Sequence, residues 1–493
     1  MNVRRVLICV SVVASDTAGA IAIMRQAAKD GADLVELRLD LMSKPDVDAL
    51  LVGRPLPVMV TCRPVHAGGG YKGSKEERLA LLRRATELGA EYVDAEPDIV
   101  PLLRGYGSAQ VVASYHDFNG MPEDLPAVHR ALVATGADVV KIAVSARRIE
   151  DNLRLFSLLR QADVPTIALA MGEAGLLSRI LQGRFGGHLT FTAPNGGQAA
   201  APGQPELSDM LEMYRVHDIG PDTALYGVIA NPVGHSLSPA MHNAAFREIG
   251  LDAVYLPLLV EEPRSFIQSF VPLGFRGFSV TIPHKQAVLA VLDEVEPLAQ
   301  RIGAVNTVVV RDGRLCGYNT DVAGALRSIE ETLPAGISLD GMNALLIGAG
   351  GLGRALAFGL TDAGARLTIA NRSFERAQQL AAEVGAEAVP LDRLADLKPD
   401  LLLQTTSVGM SPNVGESVVP YEMLRPGLIV YDAVYNPLQT RLLREAEQAG
   451  CLTISGLGHF VNQGARQFEL WTGRPAPREV MRQAVLQRLI HRA

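Results

Sequence analysis

The sequence is short of cysteine and of long apolar runs, and each shortage excludes a class of protein. Its 493 residues include four cysteines, which form no CxxC motif and no Cys/His cluster: Cys9, Cys62, Cys316 and Cys451. A disulfide framework and a zinc site are therefore not expected, and no metal is predicted. No stretch approaches the roughly 20 apolar residues that a membrane helix needs. We expect a protein of the reducing cytoplasm that has no membrane partner.

An excess of positive charge is also missing. The formal net charge is −7 at pH 7, whereas a general nucleic-acid surface needs a basic face, so no nucleic-acid partner is expected. A few arginines inside a cleft can still bind anionic small molecules. The length favours two or three domains. The sequence gives no indication of an oligomeric state.

About the first 200 residues alternate short apolar strands with helix-length segments, which is typical of a parallel α/β fold. Eight strands are predicted, at Val6–Val10, Leu34–Leu39, Val58–Cys62, Tyr92–Glu96, Val111–Tyr115, Val139–Val144, Thr166–Ala170 and Leu189–Thr192. We interpret the first run as a buried strand rather than a signal peptide, because it joins this regular series. Eight βα units in this length favour a closed (β/α)8 barrel with its active site at the carboxyl ends of the strands. From the pattern alone, an open doubly wound sheet is the alternative.

Charged side chains interrupt or follow most of these strands. They are Glu36, Arg38, Arg63, Glu96, His116, Lys141 and Arg179. One charge near a strand end is usually an exposed loop residue, but seven at one rim of a barrel would converge on a pocket. The sequence therefore predicts an active site here.

Lys141 is the most informative of these residues, because it interrupts the apolar run Val139–Val144. Burial normally excludes an ammonium group from such a strand. A desolvated lysine near other cations can act as an amine nucleophile toward carbonyl groups, with His116 as the proton shuttle. The alternative is a structural lysine paired with a buried carboxylate such as Glu96.

Five motifs in order along the chain resemble those of type I 3-dehydroquinate dehydratase. They are Glu36-Leu37-Arg38, Thr61-Cys62-Arg63-Pro64, Ser114-Tyr115-His116-Asp117-Phe118, Lys141-Ile142-Ala143 and Ala201-Pro202-Gly203-Gln204. The resemblance covers about residues 1–216 and implies a (β/α)8 barrel that removes water from 3-dehydroquinate through an imine. It implies that Lys141 forms the Schiff base, that His116 is the general acid/base and that Arg179 binds the substrate carboxylate. The other pocket contacts that it implies are Glu36, Arg38, Arg63 and Gln204.

Two positions depart from that family. Ala67 stands where the family commonly has a glutamate that helps the histidine with proton transfer, and Ala200 stands where it usually has a serine. We expect a working dehydratase whose rate is lowered by the loss of that glutamate.

The second half of the chain restarts with a strand at Ala224–Ala230 and a new α/β alternation. A further apolar strand, Asn343–Ile347, runs into the turn Gly348-Ala349-Gly350-Gly351-Leu352-Gly353 and then a helical segment. Such a turn lets a pyrophosphate approach the helix N-terminus, so a Rossmann dinucleotide-binding domain is predicted. The next strand ends in Asn371-Arg372-Ser373 instead of an acidic residue, which favours NADP, with Arg376 as a second contact to its 2′-phosphate.

These features predict the following boundaries. The barrel takes 1–216, a linker 217–223, a substrate-binding domain 224–325 and the Rossmann domain 326–467, with 468–493 folding back onto the substrate-binding domain.

The second half resembles shikimate dehydrogenase over roughly 224–493, on the segments around Asn231–Pro239, Ser279–Lys285, Gly303–Thr307, Gly317–Asp321, Val430–Pro437 and Gly456–Gln463. The resemblance implies reversible reduction of 3-dehydroshikimate with NADPH, with Lys285 and Asp321 as the catalytic pair. The substrate contacts that it implies are Ser236, Ser238, Thr281, Asn306, Tyr435 and Gln463. Thr405 and Gly458 join the implied cofactor contacts. Gln404 replaces a frequent asparagine, and His459 replaces a frequent methionine near the nicotinamide.

The two implied reactions are consecutive, because the product of the first is the substrate of the second. We therefore predict a bifunctional enzyme. A quinate/shikimate dehydrogenase with a weak barrel is one alternative, suggested by Ala67. A non-catalytic, ligand-sensing regulator is a second, although retention of Lys141, His116, Lys285 and Asp321 argues against it. A Schiff-base aldolase fits Lys141 alone.

Overall fold

The computed structural model describes residues 5–492, with side chains up to residue 490. The chain divides into two compact units. One contains the chain up to Ala224 together with Asp252–Glu261, and the other contains Leu225–Leu251 and the chain from Glu262 onward. Within the described residues, no helix is long and apolar enough to span a bilayer.

The first half is a parallel barrel in which the strands follow the order β7-β6-β5-β4-β3-β2-β1-β8. Its strands are β1 (Leu7–Val12), β2 (Leu34–Arg38), β3 (Val58–Thr61), β4 (Tyr92–Ala95), β5 (Gln110–Asp117), β6 (Val139–Ser145), β7 (Thr166–Met171) and β8 (Leu189–Thr192). β8 pairs with β1 on one side. On the other, the amide of His188 donates to the carbonyl of Thr166 at 2.9 Å, which brings β8 against β7. The predicted barrel is confirmed, and the open sheet is excluded.

Helices alternate with these strands and cover the outside of the barrel. They are α1 (Thr17–Lys29), α2 (Val47–Leu51), α3 (Lys75–Glu87), α4 (Val100–Leu103), α5 (Leu125–Ala134), α6 (Asp151–Gln161), α7 (Leu176–Ile180) and α8 (Gln182–Phe185). Local sequence specifies their starts: α3 begins with a capping box, in which the side chains of Ser74 and Glu77 each accept the other's backbone N–H. Most positions in the strands are apolar, because both faces of a helix-covered parallel sheet are buried.

The second half begins with a six-stranded mixed sheet of order β10-β9-β11-β13-β14-β12. Its strands are β9 (Ala224–Ala230), β10 (Ala253–Leu259), β11 (Phe275–Val280), β12 (Glu294–Val295), β13 (Thr307–Arg311) and β14 (Arg314–Tyr318). β9 and β11 are parallel, whereas β13 is antiparallel to both β11 and β14. The helices of this segment are α9 (Ser238–Glu248), α10 (Pro263–Phe270), α11 (Pro297–Ile302) and α12 (Thr320–Glu330).

The third sheet is parallel and has the order β17-β16-β15-β18-β19-β20. Its strands are β15 (Asn343–Ile347), β16 (Arg366–Ala370), β17 (Glu387–Val389), β18 (Leu401–Gln404), β19 (Ile429–Asp432) and β20 (Leu452–Ile454), and its helices are α13 (Gly351–Asp362), α14 (Phe374–Val384) and α15 (Arg441–Gln448). This is the 3-2-1-4-5-6 order of a Rossmann fold, whose ligands bind where the order reverses, between β15 and β18. The predicted Rossmann domain is confirmed.

Two long helices, α16 (Gly456–Thr472) and α17 (Arg478–Arg492), follow the third sheet. α17 packs against α9, and α16 packs closely along α12. Gly324 permits this second contact: a Cβ atom at Gly324 would lie 2.7 Å from the backbone nitrogen of Gln463. The close approach matters because Asp321 lies one turn before Gly324 on α12.

We predict that Gly324→Ala lowers the free energy of unfolding of this unit by about 1–3 kcal/mol, because the new methyl group meets backbone atoms that cannot move away cheaply. Alanine is the better helix former by about 1 kcal/mol, so helix propensity alone predicts the opposite sign. The chain's single tryptophan, Trp471, lies in α16, and its fluorescence during urea unfolding gives the measurement. Gly415→Ala is the matched control, because a Cβ there meets nothing within 4 Å. Equal midpoints for the two variants would contradict the packing argument.

Candidate active sites

The interior of the barrel carries a cluster of buried charges at the carboxyl ends of β2 to β6. Lys141, on β6, is 4% exposed. Its Nζ donates to Asp94 Oδ2 at 2.9 Å and to Glu36 Oε1 at 3.3 Å, and it lies 4.0 Å from the centre of the Phe191 ring. The lysine is therefore held between two carboxylates and one aromatic face.

Both carboxylates are held by further hydrogen bonds. Ser11 and Thr61 donate their hydroxyl groups to Glu36 at 3.0 and 2.9 Å, and Ser114 donates to Asp94 at 2.7 Å. Burial by itself would raise the pKa of both acids, but the charges of the neighbouring cations, Lys141 among them, outweigh burial and hold the pKa of each below its usual value. Both therefore remain anionic beside the lysine.

Asp94 is a site residue that the sequence analysis missed. The alternative that paired Lys141 with Glu96 was wrong, because Glu96 instead accepts hydrogen bonds from Arg63 and Arg78. The two acids are two residues apart in and just after β4, so their side chains point to the same side of the sheet. The signal that could have identified Asp94 is its position as a carboxylate inside an apolar strand.

His116 and Arg63 lie beside this ion pair. Arg63 Nη1 is 3.0 Å from His116 Nδ1, and Arg63 Nη2 donates to Asp94 at 2.8 Å. Burial, followed by the charges of Arg63 and Lys141, lowers the pKa of His116 well below its usual value. The imidazole is therefore neutral near pH 7 and can accept a proton, as a general base must.

Arg179 is the exception among the buried cations. Its guanidinium is 2% exposed, donates one long hydrogen bond of 3.5 Å to the carbonyl of Phe191, and has an Nε with no hydrogen-bond partner among residues 5–492. Burial lowers its pKa to about 10. A buried, incompletely paired guanidinium favours an incoming anion, because the anion would supply the missing partner.

The remaining predicted residues of this site differ in what they contact. Arg38 donates hydrogen bonds from Nε and Nη2 to the two carboxylate oxygens of Asp40, at 3.0 and 2.7 Å, so two of its donor groups are already used. Gln204 accepts the amide of Ala200 at 2.8 Å and donates to Ser11 at 3.3 Å. The seven residues that the resemblance implies for this site line one cavity: Glu36, Arg38, Arg63, His116, Lys141, Arg179 and Gln204. Glu96, the remaining charged residue predicted at this rim, is not among the described residues that line it.

A second site forms in the other half, around Lys285 and Asp321. Lys285 follows β11, and its Nζ donates to Asp321 Oδ2 at 2.6 Å, while Asn306 donates to Asp321 Oδ1 at 2.9 Å. Burial would raise the pKa of Asp321, but Lys285 and then His459 hold it well below its usual value. Helix α12 begins at Thr320 with Asn319 as its cap, which presents the carboxylate in the first turn.

The predicted substrate contacts of this half lie on several elements. Ser236 Oγ accepts the amide of Ser238, which begins α9, at 3.3 Å. Tyr435 stacks on Phe460 with ring centres 4.5 Å apart. Gln463, on α16, donates to the carbonyl of Phe460 at 3.0 Å, while Thr281 follows β11 four residues before Lys285. Of these residues, Asn306 donates a hydrogen bond to Asp321 of the catalytic pair.

The glycine-rich turn adjoins this pair. A Cβ on Gly351 would lie 3.6 Å from the side chain of Lys285. Gly348 has a φ of +115°, and a Cβ on Gly353 would lie 2.1 Å from the carbonyl oxygen of Gly348, so only glycine fits at both positions. This turn gives a backbone cradle with room for a pyrophosphate, and the residues present fit a dinucleotide.

The predicted cofactor residues surround that turn. Ala349 donates its amide to Asn371 at 3.2 Å, and Thr405 donates its hydroxyl to the carbonyl of Ile347 at 2.9 Å. Gly350 caps α13, Leu352 lies in the first turn of that helix, and Gly458 lies in the first turn of α16. Arg372 follows β16, the strand beside the glycine-rich turn, and Arg376 lies in the first turn of α14; both are exposed.

Comparisons with known proteins cover both halves. Residues 8–221 match the model of type I 3-dehydroquinase, and 228–308 match the shikimate dehydrogenase substrate binding domain. Residues 330–411 match shikimate / quinate 5-dehydrogenase, and 456–486 match the shikimate 5′-dehydrogenase C-terminal domain. The bifunctional 3-dehydroquinate dehydratase/shikimate dehydrogenase of Arabidopsis thaliana, described as chloroplastic, is 44% identical over an alignment of 501 positions, which covers 96% of this chain and 83% of that protein.

The chain belongs to the bifunctional 3-dehydroquinate dehydratase/shikimate dehydrogenase family. Single-function relatives match its second half. The NADP⁺ shikimate dehydrogenase of Moorella thermoacetica is 48% identical over 272 residues, which are 52% of this chain and 91% of that protein. The solved shikimate 5-dehydrogenase of Thermus thermophilus, in complex with NADP(H) and shikimate, is 41% identical with a TM-score of 0.50 and covers 54% of this chain and 99% of that one.

A further buried acid lies in the dehydrogenase half. Asp432, at the end of β19, accepts hydrogen bonds from Thr440 at 2.6 Å, Val434 at 3.0 Å and Gln404 at 3.2 Å. Gln404 is the residue that replaces the frequent asparagine, and it reaches this carboxylate. Burial raises the pKa of Asp432 to about 6, although the bonds from Thr440 and Val434 act in the opposite direction.

A pH dependence of stability follows from Asp432. Its pKa is higher in the folded chain than the ordinary value of about 3.9, so the folded state binds the proton more tightly and loses stability as the pH rises from about 4 to 6. We predict that Asp432→Asn raises the free energy of unfolding by about 2 kcal/mol more at pH 7.5 than at pH 4, measured by urea unfolding of Trp471 fluorescence. The exposed Asp392→Asn is the control. Parallel pH dependences for the wild-type chain and Asp432→Asn would contradict this.

Proposed function

We propose that the chain converts 3-dehydroquinate into 3-dehydroshikimate in its barrel and reduces that product to shikimate with NADPH in its second half. The observation that carries the proposal is that each half pairs its predicted catalytic lysine with a buried carboxylate. In the barrel Lys141 bonds to Asp94, and Arg63 contacts both Asp94 and His116. In the second half Lys285 bonds to Asp321. The two reactions share an intermediate, so one chain performs consecutive steps.

In the dehydratase, Lys141 is the nucleophile. The Lys141 ammonium group first gives one proton to the neutral His116. The free amine attacks the ketone carbon of 3-dehydroquinate, His116 returns that proton to the departing carbonyl oxygen, which leaves as water, and a protonated imine to the lysine forms. The imine withdraws electrons from the adjacent C2–H bond. His116, neutral because burial lowers its pKa, then removes the C2 proton, and a hydroxyl group leaves as a second water. Hydrolysis of the imine returns the amine of Lys141 and releases 3-dehydroshikimate.

Asp94 and Glu36 support this chemistry through the lysine. Their two carboxylates hold the ammonium group at 2.9 and 3.3 Å, so the side chain is positioned before substrate arrives. The approach of substrate to Nζ requires one of these contacts to open. We assign to Asp94 the task of orienting Lys141 and Arg63 together, because it bonds to both.

Arg179 supplies the anion-binding part of the barrel site. Its buried guanidinium has unused donors, and a substrate carboxylate can accept two of them side by side. That arrangement would fix the ring relative to the Lys141 amine. The absence of a glutamate at Ala67 leaves His116 without that acidic helper, while the bond from Arg63 to His116 Nδ1 still orients the imidazole.

In the dehydrogenase, Lys285 is the proton donor to the substrate oxygen during reduction. Asp321 orients the ammonium group by its 2.6 Å bond, and Asn306 holds the other carboxylate oxygen. NADPH supplies the hydride when it is bound. Gly348, Gly351 and Gly353 would hold its pyrophosphate, and Arg372 and Arg376 would hold its 2′-phosphate. Lys285 lies beside Gly351, so proton donor and cofactor cradle are adjacent.

The alternatives have weaker support. A ligand-sensing regulator would not need both catalytic ion pairs, and an aldolase would not need the unpaired donors of Arg179. Activity toward quinate is the second candidate function, since the matching domain model describes shikimate / quinate 5-dehydrogenases. We place the enzyme in the cytoplasm and expect the domain boundaries given above.

We predict that Lys141→Arg, which keeps the cation beside Asp94 and Glu36, lowers the dehydratase rate to below about a thousandth of the wild-type rate, because a guanidinium forms no imine. Borohydride added with 3-dehydroquinate should attach a substrate-derived mass to wild-type protein and to the exposed control Lys44→Arg, but not to Lys141→Arg. Intact-protein mass spectrometry gives the measurement. NADPH-dependent reduction of 3-dehydroshikimate should persist in all three proteins. A mass adduct on Lys141→Arg would contradict the assignment of the nucleophile.

A further inference from the structure

His459 is an ionisable side chain inside the dehydrogenase site that has no role in the mechanism above. It lies in the first turns of α16, where it is 7% exposed. Its Nε2 lies 3.8 Å from Asp321 Oδ1. The family frequently has a methionine here, which can neither donate a strong hydrogen bond nor change charge.

The carboxylate of Asp321 connects His459 to Lys285. Lys285 binds Oδ2 at 2.6 Å, while Asn306 binds Oδ1 at 2.9 Å on the side that His459 also faces. A separation of 3.8 Å is longer than a hydrogen bond but within ion-pair range. Catalytic contacts that are long without substrate commonly shorten when substrate is bound.

The other groups around the imidazole leave Asp321 as the charged partner that its Nε2 faces. Its Nδ1 is buried and has no hydrogen-bond partner among the described residues. Tyr431, on β19, meets the ring edge-on at a centroid distance of 6.2 Å, and burial followed by the charge of Asp321 raises the pKa of that phenol well above its usual value. Because its pKa is raised, Tyr431 stays neutral. Asp432 is the next residue on β19, and the ionisable pair that faces His459 is Asp321 with Lys285.

We propose that His459 is a positioning residue of the reduction step, which acts through Asp321 by supplying a second N–H donor, beside that of Asn306, to Oδ1 of the carboxylate that orients Lys285. This inference rests on the proposed dehydrogenase activity. When Lys285 gives its proton to the substrate oxygen, Asp321 loses its strongest cationic partner inside a buried site. A donor at Oδ1 stabilises the carboxylate at that moment, which a methionine could not do.

The test compares His459→Gln, which keeps an N–H donor, with His459→Met, which has none. We expect His459→Met to lower kcat for 3-dehydroshikimate reduction by about tenfold and His459→Gln by less than about threefold, with KM for NADPH nearly unchanged in both.

His66→Gln is the matched control, because His66 is exposed on the barrel half. Its kcat for 3-dehydroshikimate reduction should equal that of the wild-type chain. Dehydratase activity and the Trp471 unfolding midpoint check that each variant is folded. Equal kcat values for the wild-type chain and both His459 variants, or equal losses of kcat in the two variants, would overturn the role of His459 alone. A folded wild-type chain with dehydratase activity but no NADPH oxidation at any pH would overturn the proposed reductase, and this inference with it.

Discussion

The placement of Lys141 between Asp94 and Glu36 is the constraint on which the barrel site depends. An ammonium group is strongly destabilised inside a barrel unless anions compensate it, and each anion must in turn be neutralised. Arg63 and Arg38 meet that requirement, because their positive charges neutralise the carboxylates of Asp94 and Glu36, which in turn neutralise the lysine. The result is a preorganised network that brings a nucleophile, a neutral histidine and an orienting arginine together before substrate binds.

The same principle accounts for where anions bind. Arg179 is buried, its Nε has no hydrogen-bond partner among the described residues, and a substrate anion would supply that partner. In the other half, Asp321 receives Lys285 and Asn306, and the adjoining glycine turn leaves its backbone open to a pyrophosphate. Each half therefore combines an ion pair, which holds the reacting group in place by hydrogen bonds, with N–H donors that remain available to bind the ligand.

Much of this was predictable from the sequence. Strand periodicity gave the barrel strands nearly to their ends, and the run from Asn343 to Gly353 located the Rossmann turn. The ion-pair and hydrogen-bond partners within the site were harder to predict from the sequence, because they depend on strand register. Asp94 and Glu96 share one face of β4, and their assignment to Lys141 or to Arg78 needs atomic positions. The link from Gln404 to Asp432 likewise joins neighbouring strands that the sequence does not pair.

The most direct measurement gives the intact protein 3-dehydroquinate alone and follows the ultraviolet absorbance of the conjugated enone, then adds NADPH and follows its oxidation. Our account predicts enone formation first and NADPH consumption after the addition, both by the same chain. Failure of the enone to form, with NADPH still consumed when 3-dehydroshikimate is supplied, would contradict the account of the barrel. It would leave the chain a dehydrogenase whose barrel does not tolerate Ala67.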